Sequence, residues 1–390
     1  MMVSASVSAS SWAAASWASV SVRSAPAQPR RSPALVMSGG GGSGVPDTFV
    51  VPASFKPSPV RLPAIGVGCM AWGNPRRGWG VTFNSTDLEE AFEICTDAGV
   101  TLYDTSEVYG YQSVRLLEGS EQLLSRLIEK SLTPTLVSTK FMPVPWTNLL
   151  AGGGLRIGRQ AVVEAIRASI ARLGVGSVDI YSLHAPLPYV GGRRALYEGL
   201  AEAHSLGLCR SIGVCNFNAE QLREAHRACR DLGVPIVSNQ IRYSLMNIER
   251  ELDGTIETCL ELGITPIAHT PLAGGLATNY YAHALAKRGG RRGRVGRFDS
   301  KQLLVLSRMY EAMSAIAEEG GETRTEAQVA LRFAIAKGCV PVPGVNNAQQ
   351  ATEVARALDW QLDMDQYEWL AQQAINLHGR RNELPWIRSL

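Results

Sequence analysis

The chain has 390 residues, 45% of them hydrophobic and 19% charged, with a formal net charge of +3. That is apolar material for one large domain or two ordinary ones. The near balance of charge, with no basic face interleaved with aromatics, argues against a nucleic-acid partner. No run of about 20 apolar residues predicts a membrane span, and seven dispersed cysteines with neither a CxxC pair nor zinc-like His/Cys spacing predict a reducing compartment, no disulfide framework and no metal.

Residues 1–46 contain no Asp or Glu; they are rich in Ser, Ala and Val, carry Arg23, Arg30 and Arg31, and end near "SGGGGSG" at 38–44. This composition is that of an organelle transit peptide followed by a flexible linker. Sparse early arginine favours a chloroplast or other plastid over a mitochondrion, and an ordinary tail is the bland alternative. The glycine run is no phosphate loop, because no strand precedes it and no Lys-Ser/Thr follows.

The body is expected over 58–375, with a tail at 376–390. Short apolar runs recur along it: "AIGVGCM" (64–70), "VTLYDT" (100–105), "TLVSTKF" (135–141), "VDIYSLH" (178–184), "SIGVCNF" (211–217), "PIVSNQIRY" (235–243), "TPIAHTPL" (265–272) and "CVPVPGV" (339–345). Each is of strand length and unbroken enough to be buried on both faces, as parallel strands are. Amphipathic stretches lie between them. "DLEEAFEICTDAG" spaces Leu88, Ala91, Phe92 and Cys95 along one helical face, with Gly99 as the stop. Eight strands alternating with helices predict an α/β fold, the (β/α)8 TIM barrel, with its active site at the C-terminal strand ends. A doubly wound sheet is the runner-up; against it, "GVGCMAWG" lacks the third glycine of a dinucleotide fingerprint.

The polar residues closing these strands are therefore the site candidates: Asp104, Lys140, His184, Asn216, Gln240 and Thr270, with Tyr109 just beyond Asp104. Strand alternation puts Leu102 with Asp104, Ser138 with Lys140 and Ser182 with His184. If the second of each pair faces inward, Lys140 is the partner that a buried Asp104 requires. A lysine beside a phenol lowers the tyrosine pKa from about 10. Tyr109 is thus expected as a proton donor near neutral pH, with His184 orienting the substrate oxygen.

Asp104, Tyr109, Lys140 and His184 together resemble the catalytic tetrad of the aldo-keto reductases. Further motifs agree in order: "DTSEVYG", "GVCNF", "SNQIRYSL", "AHTPLAGGL" and "VPVPGVNNAQQATE". The similarity spans about 60–360, and is strongest to the plastid-targeted plant and algal branch, which also carries an Arg/Gly-rich loop like "RGGRRGRVGRF" at 287–298. The resemblance implies NADPH-dependent reduction of an aldehyde or ketone to an alcohol, without metal or flavin, by an enzyme of a family that is often monomeric.

It also implies cofactor roles. Asn216 and Gln240 would hold the nicotinamide carboxamide, beside Cys215, and His269 stands where the family stacks a tyrosine on the ring. Thr270, Pro271, Leu272 and Gly274 would line the pyrophosphate path. Gly344, Asn346, Gln350 and Glu353 match the adenosine end, and Cys69 and Met70 fall near the cofactor by their strand end. Three departures stand out. Cys215 replaces the common Ser, Val354 replaces the common Asn, and no Lys or Arg in "PGVNNAQQA" meets a 2′-phosphate. Arg288, Arg291, Arg292, Arg294 and Arg297 are the candidates for that group, bidentate Arg being its usual partner. Trp146, in an expanded loop after Lys140, and Trp72 and Trp79 are candidates for an apolar substrate wall.

Taken singly, each residue has a structural reading: a core ion pair, a satisfied histidine, packing tryptophans, a solvated Arg loop. The alternative function is a cofactor-binding regulatory or interaction protein with little turnover. Lipid-derived aldehydes, sugar-derived dicarbonyls and pyridoxal all remain open as substrates.

Overall fold

The computed structural model describes residues 60–110, 118–144, 155–278, 280, 304–319 and 324–380, and the backbone of 294–295 and 298–299. The transit-peptide and linker expectation at 1–46, Trp146, four of the five loop arginines and the side chain of Arg294 lie outside the described residues.

Eight strands form one parallel sheet in the order β1 (Gly66–Gly68), β2 (Leu102–Asp104), β3 (Leu136–Phe141), β4 (Val178–Leu183), β5 (Cys209–Cys215), β6 (Ile236–Arg242), β7 (Thr265–His269) and β10 (Val340–Val342). A small antiparallel ribbon, β8 (Arg294–Val295) with β9 (Phe298–Asp299), is separate. The sheet closes on itself where Gly68 N–H donates to Pro343 O at 2.7 Å and Gly68 bridges Gly344. A Cβ on Gly68 would sit 2.7 Å from Val342 O, so only glycine lets the first and last strands meet. The barrel expected from the eight apolar runs is the observed fold.

Helices return the chain between strands: α1 (Ser85–Asp97), α2 (Ser120–Lys130), α3 (Gln160–Leu173), α4 (Gly192–Ser205), α5 (Ala219–Asp231), α6 (Glu249–Leu252), α7 (Thr255–Glu261), α8 (Ser307–Glu319), α9 (Glu326–Ala336), α10 (Ala348–Arg356) and α11 (Met364–Gly379). Sequence-local caps set their starts. Asn84 with Asp87, Asn218 with Gln221, Thr325 with Gln328 and Asp363 with Gln366 form reciprocal boxes. Helix α11 runs past residue 375 to Gly379 and buries Leu377, so the body extends beyond the boundary expected for the tail.

The outer faces of β1–β5 pack on α1–α5 in one apolar cluster, and β6 and β7 pack with α8, α9 and α11 in a second. Inside the barrel, a third, small cluster of Leu102, Ile267, Val340 and Val342 forms a floor. Leu102 and Asp104 share one face of β2, two residues apart, so this interior passes from apolar floor to charged rim within one pleat repeat. Across β4, β5 and β6 the strands pack closely: a Cβ on Gly213 would meet the hydroxyls of Ser182 and Ser238 at 2.5 and 2.6 Å.

Candidate active site

Asp104 ends β2 at 4% exposure, and Lys140 lies on β3 at 1%. Lys140 Nζ donates to Asp104 Oδ2 at 2.7 Å and to the Thr105 carbonyl at 2.7 Å, while Ser138 donates to Asp104 Oδ1 at 2.9 Å. The pair that alternation predicted is therefore formed, and each charge has further hydrogen bonds, the condition for tolerating a buried ion pair. Burial is the largest single effect and favours the neutral amine, but the charge and hydrogen bond of Asp104, together with Tyr109 and Cys215, hold Lys140 above its ordinary pKa, so it is an ammonium.

Tyr109 reaches this pair through the turn after β2, its N–H donating to Ser106 O at 3.0 Å. Lys140 Nζ lies 4.9 Å from the centre of its ring. The expected depression of the phenol pKa is not the net result. Burial pushes Tyr109 up to about 12, and the downward pull of Lys140 only partly offsets it. Desolvation of a phenolate outweighs one nearby ammonium here, so Tyr109 is a protonated donor at neutral pH rather than a poised phenolate.

His184 follows β4, its ring edge-on to Tyr109 with centroids 5.5 Å apart. Burial first, then Lys140 and His269, push its pKa down to about 3. A neutral imidazole therefore faces the phenol, with Nδ1 3.1 Å from Ser106 Oγ. Asp104, Tyr109, Lys140 and His184 thus come together from three neighbouring strand ends.

On the opposite half of the rim the buried hydrogen-bonded groups are neutral. Asn216 and Gln240 end β5 and lie on β6; Cys215 Sγ is 3.9 Å from Gln240 Oε1. Burial pushes the Cys215 thiol up to about 12, which leaves it protonated at neutral pH. Asn216 adopts a left-handed backbone, φ 62°, and its Oδ1 lies 3.0 Å from His269 Nε2, whose Nδ1 lies 3.0 Å from Thr270 Oγ1. Burial, with Arg242 and Lys140, lowers the pKa of His269 to about 4. A cavity of about 320 Å³ opens here, lined by Asn216, His269 and Thr270 and by Arg242 and Arg250. Pro271 is buried, Leu272 partly so, and Gly274 exposed.

At the expected adenosine end, Gly344 is exposed and a Cβ there would meet nothing nearer than Gly68 O at 4.0 Å. Among the described residues Asn346 Oδ1 is buried without a hydrogen-bond partner, and Asn346 N–H donates to Gln350 Oε1 at 2.8 Å. Gly344 and Asn346 precede the N-terminus of α10, a favourable place for an anion, and Gln350 lies in its first turn. An orphaned acceptor, an open glycine and a helix N-terminus fit the end of a dinucleotide. Glu353 accepts from Thr325 Oγ1 at 2.6 Å and so also ties α10 to α9.

Other expectations shift. Trp72 is not a substrate wall: it is 1% exposed, packs against Tyr103 and donates to Val345 O at 2.9 Å, since an indole this size is more stable in the core with its N–H satisfied. Trp79 packs edge-on against Phe83. The Cys69 side chain is fully buried, while Met70 is 37% exposed. Sequence reasoning assigned nothing to Ser106, Glu107 or Arg156. Glu107 receives two buried hydrogen bonds from Arg156, at 2.5 and 2.9 Å, and a part-buried one from Met142 N–H at 2.7 Å. That clamp ties the Tyr109 turn to the segments on either side of 145–154. Its only sequence signal was Glu107 lying inside "DTSEVYG". Among the described residues no cluster of His, Cys, Asp and Glu is placed to hold a metal, and no helix is long and apolar enough to cross a membrane.

A sequence model described as "Aldo/keto reductase family" matches residues 64–374. A chloroplastic pyridoxal reductase of Arabidopsis thaliana is 32% identical over 336 residues, covering 82% of this chain and 86% of the relative. A 6-dehydroglucose reductase of Novosphingobium aromaticivorans is 27% identical over 334 residues, covering 82% and 94%. An aldo-keto reductase of Klebsiella pneumoniae, solved with NADPH, superposes with a TM-score of 0.58 at 22% identity, covering 80% of this chain and 90% of that one.

Proposed function

Since the chain belongs to the aldo/keto reductase family, we propose that it is an NADPH-dependent carbonyl reductase that takes an aldehyde or ketone to the alcohol, with Tyr109 as proton donor. The observation that carries this reading is the convergence of a protonated phenol, a buried ammonium and a neutral imidazole at one rim. NADPH, when held by the residues named below, would supply a hydride for the carbonyl carbon. His184 orients the carbonyl oxygen, Tyr109 gives it the proton, and the ammonium of Lys140 stabilises the phenolate left behind. Asp104 keeps Lys140 charged and fixed. Donors aimed at a developing oxyanion are where such a site gains most rate.

Asn216, Gln240 and His269 would hold the nicotinamide end, and Gly344, Asn346, Gln350 and Glu353 the adenosine end. The arginines of 288–297, Arg294 among them, would meet the 2′-phosphate. Plastid targeting is supported by the acid-free N-terminus and by the relative named as chloroplastic.

The test is loss of NADPH absorbance by the full chain with a panel of aldehydes headed by pyridoxal, which the Arabidopsis relative is named for, and with NADH in parallel. Turnover with a clear preference supports the reductase; tight NADPH binding with no turnover on any member would support a regulatory protein instead.

A further inference from the structure

Ser106 touches three of the four residues placed at the charged rim, and nothing above gives it a task. It is fully buried. Its carbonyl accepts the Tyr109 N–H at 3.0 Å, its Oγ is 3.1 Å from His184 Nδ1, and the same oxygen is 3.4 Å from the Lys140 carbonyl and 3.4 Å from Val108 N.

A hydroxyl has one hydrogen and two lone pairs. Val108 N–H points at a lone pair. The hydrogen has two acceptors to choose from, Nδ1 at 3.1 Å or the Lys140 carbonyl at 3.4 Å. Hydrogen bonds weaken with length, and 3.4 Å is beyond the usual range for O–H donors. The neutral ring carries its proton on one nitrogen or the other. A proton on Nδ1 would leave Nε2 a bare lone pair, repelling a carbonyl oxygen. A proton on Nε2 makes that nitrogen a donor, and Nε2 has no hydrogen-bond partner among the described residues.

We propose that Ser106 is a positioning residue: its hydroxyl donates to His184 Nδ1, and so fixes the ring in the tautomer that presents N–H at Nε2 to the substrate oxygen. This rests on the reductase reading for its consequence, though not for its geometry. Through its carbonyl Ser106 also accepts the backbone N–H of Tyr109, so the same residue contacts the imidazole and the turn that carries the phenol. Mutual placement of two donors is what such a site must preserve when the chain breathes.

The experiment has two readouts on the full chain. The first is 15N NMR of histidine-labelled protein, which reports the tautomer of His184 whether or not the protein turns over. Wild type should show the proton on Nε2, and Ser106→Ala should show it moved to Nδ1 or shared between the nitrogens. The second is steady-state reduction of 4-nitrobenzaldehyde or pyridoxal. Ser106→Ala should lower kcat about tenfold, roughly one neutral hydrogen bond, with KM for NADPH unchanged. Ser106→Cys, which keeps a weak donor in nearly the same volume, should fall between. Wild type with its proton on Nδ1, or Ser106→Ala with the wild-type tautomer and kcat, would overturn the proposal. A correct tautomer in a protein that reduces nothing would overturn the reductase reading while leaving the Ser106–His184 bond standing.

Discussion

On the side of β2–β4 the rim is charged: Lys140 and Asp104 are almost solvent-free and bonded to each other. On the side of β5–β7 the buried contacts are between neutral groups: Gln240, Cys215, Asn216 and His269 meet through amide, thiol and imidazole contacts of 3.0 to 3.9 Å, with Arg242, Glu249 and Arg250 lining the adjoining cavity. The charged half can hold a proton in one place because removing either partner leaves an uncompensated buried charge. The neutral half can exchange its partners for a ligand's at little cost, because a neutral hydrogen bond contributes only about 1 kcal/mol net. On the proposed reading, proton transfer would belong to the half that cannot rearrange and cofactor capture to the half that can.

The hardest test of that contrast is Lys140→Met. It should lower unfolding stability by about 3–5 kcal/mol by stranding Asp104, measured by urea denaturation, and abolish reduction. A stable Lys140→Met protein with normal turnover would erase the distinction. Next is Tyr109→Phe, which should cost about 100- to 1,000-fold in kcat with NADPH affinity, by fluorescence titration, within about twofold of wild type, a neutral contact at most being lost. Equal losses in both would mean that the two halves are not separable.

Acid stability sharpens the comparison. The folded-state values of His184 and His269, about 3 and about 4, lie below the unfolded value of about 6.5. The unfolded chain therefore takes up protons that the folded chain refuses, and stability falls as pH drops from about 6.5 towards those values. At pH 5 each ring should account for on the order of 1–2 kcal/mol. His269→Gln should remove about half of this acid slope in urea titrations; an unchanged slope would mean the ring titrates freely. The smallest expected effect is Cys215→Ser: a better donor beside Gln240 should tighten NADPH by a few-fold, within the roughly 1 kcal/mol of a neutral hydrogen bond, read by the same fluorescence titration.

Much of this was legible in the sequence because buried parallel strands leave uninterrupted apolar runs, and because period-2 alternation carries Asp104, Lys140 and His184 to one face. The closed barrel and the Lys140–Asp104 pair follow from those two facts. What was not legible depends on how dry the finished site is. The sign of the Lys140 effect on Tyr109 could be read from charge alone, but not its size against burial. Trp72 carries the same letter whether it lines a pocket or a core. Arg156 meets Glu107 across 49 positions of sequence, a distance that no local pattern spans.

All seven cysteines are buried, and burial holds the thiols of Cys69, Cys95, Cys209, Cys215, Cys229, Cys259 and Cys339 well above their ordinary pKa. The folded chain should therefore react little with maleimides without any cysteine being removed. A single cysteine placed at Leu132, which is fully exposed, would accept a fluorophore or spin label against that quiet background, making the native sequence its own cysteine-light template for spectroscopy.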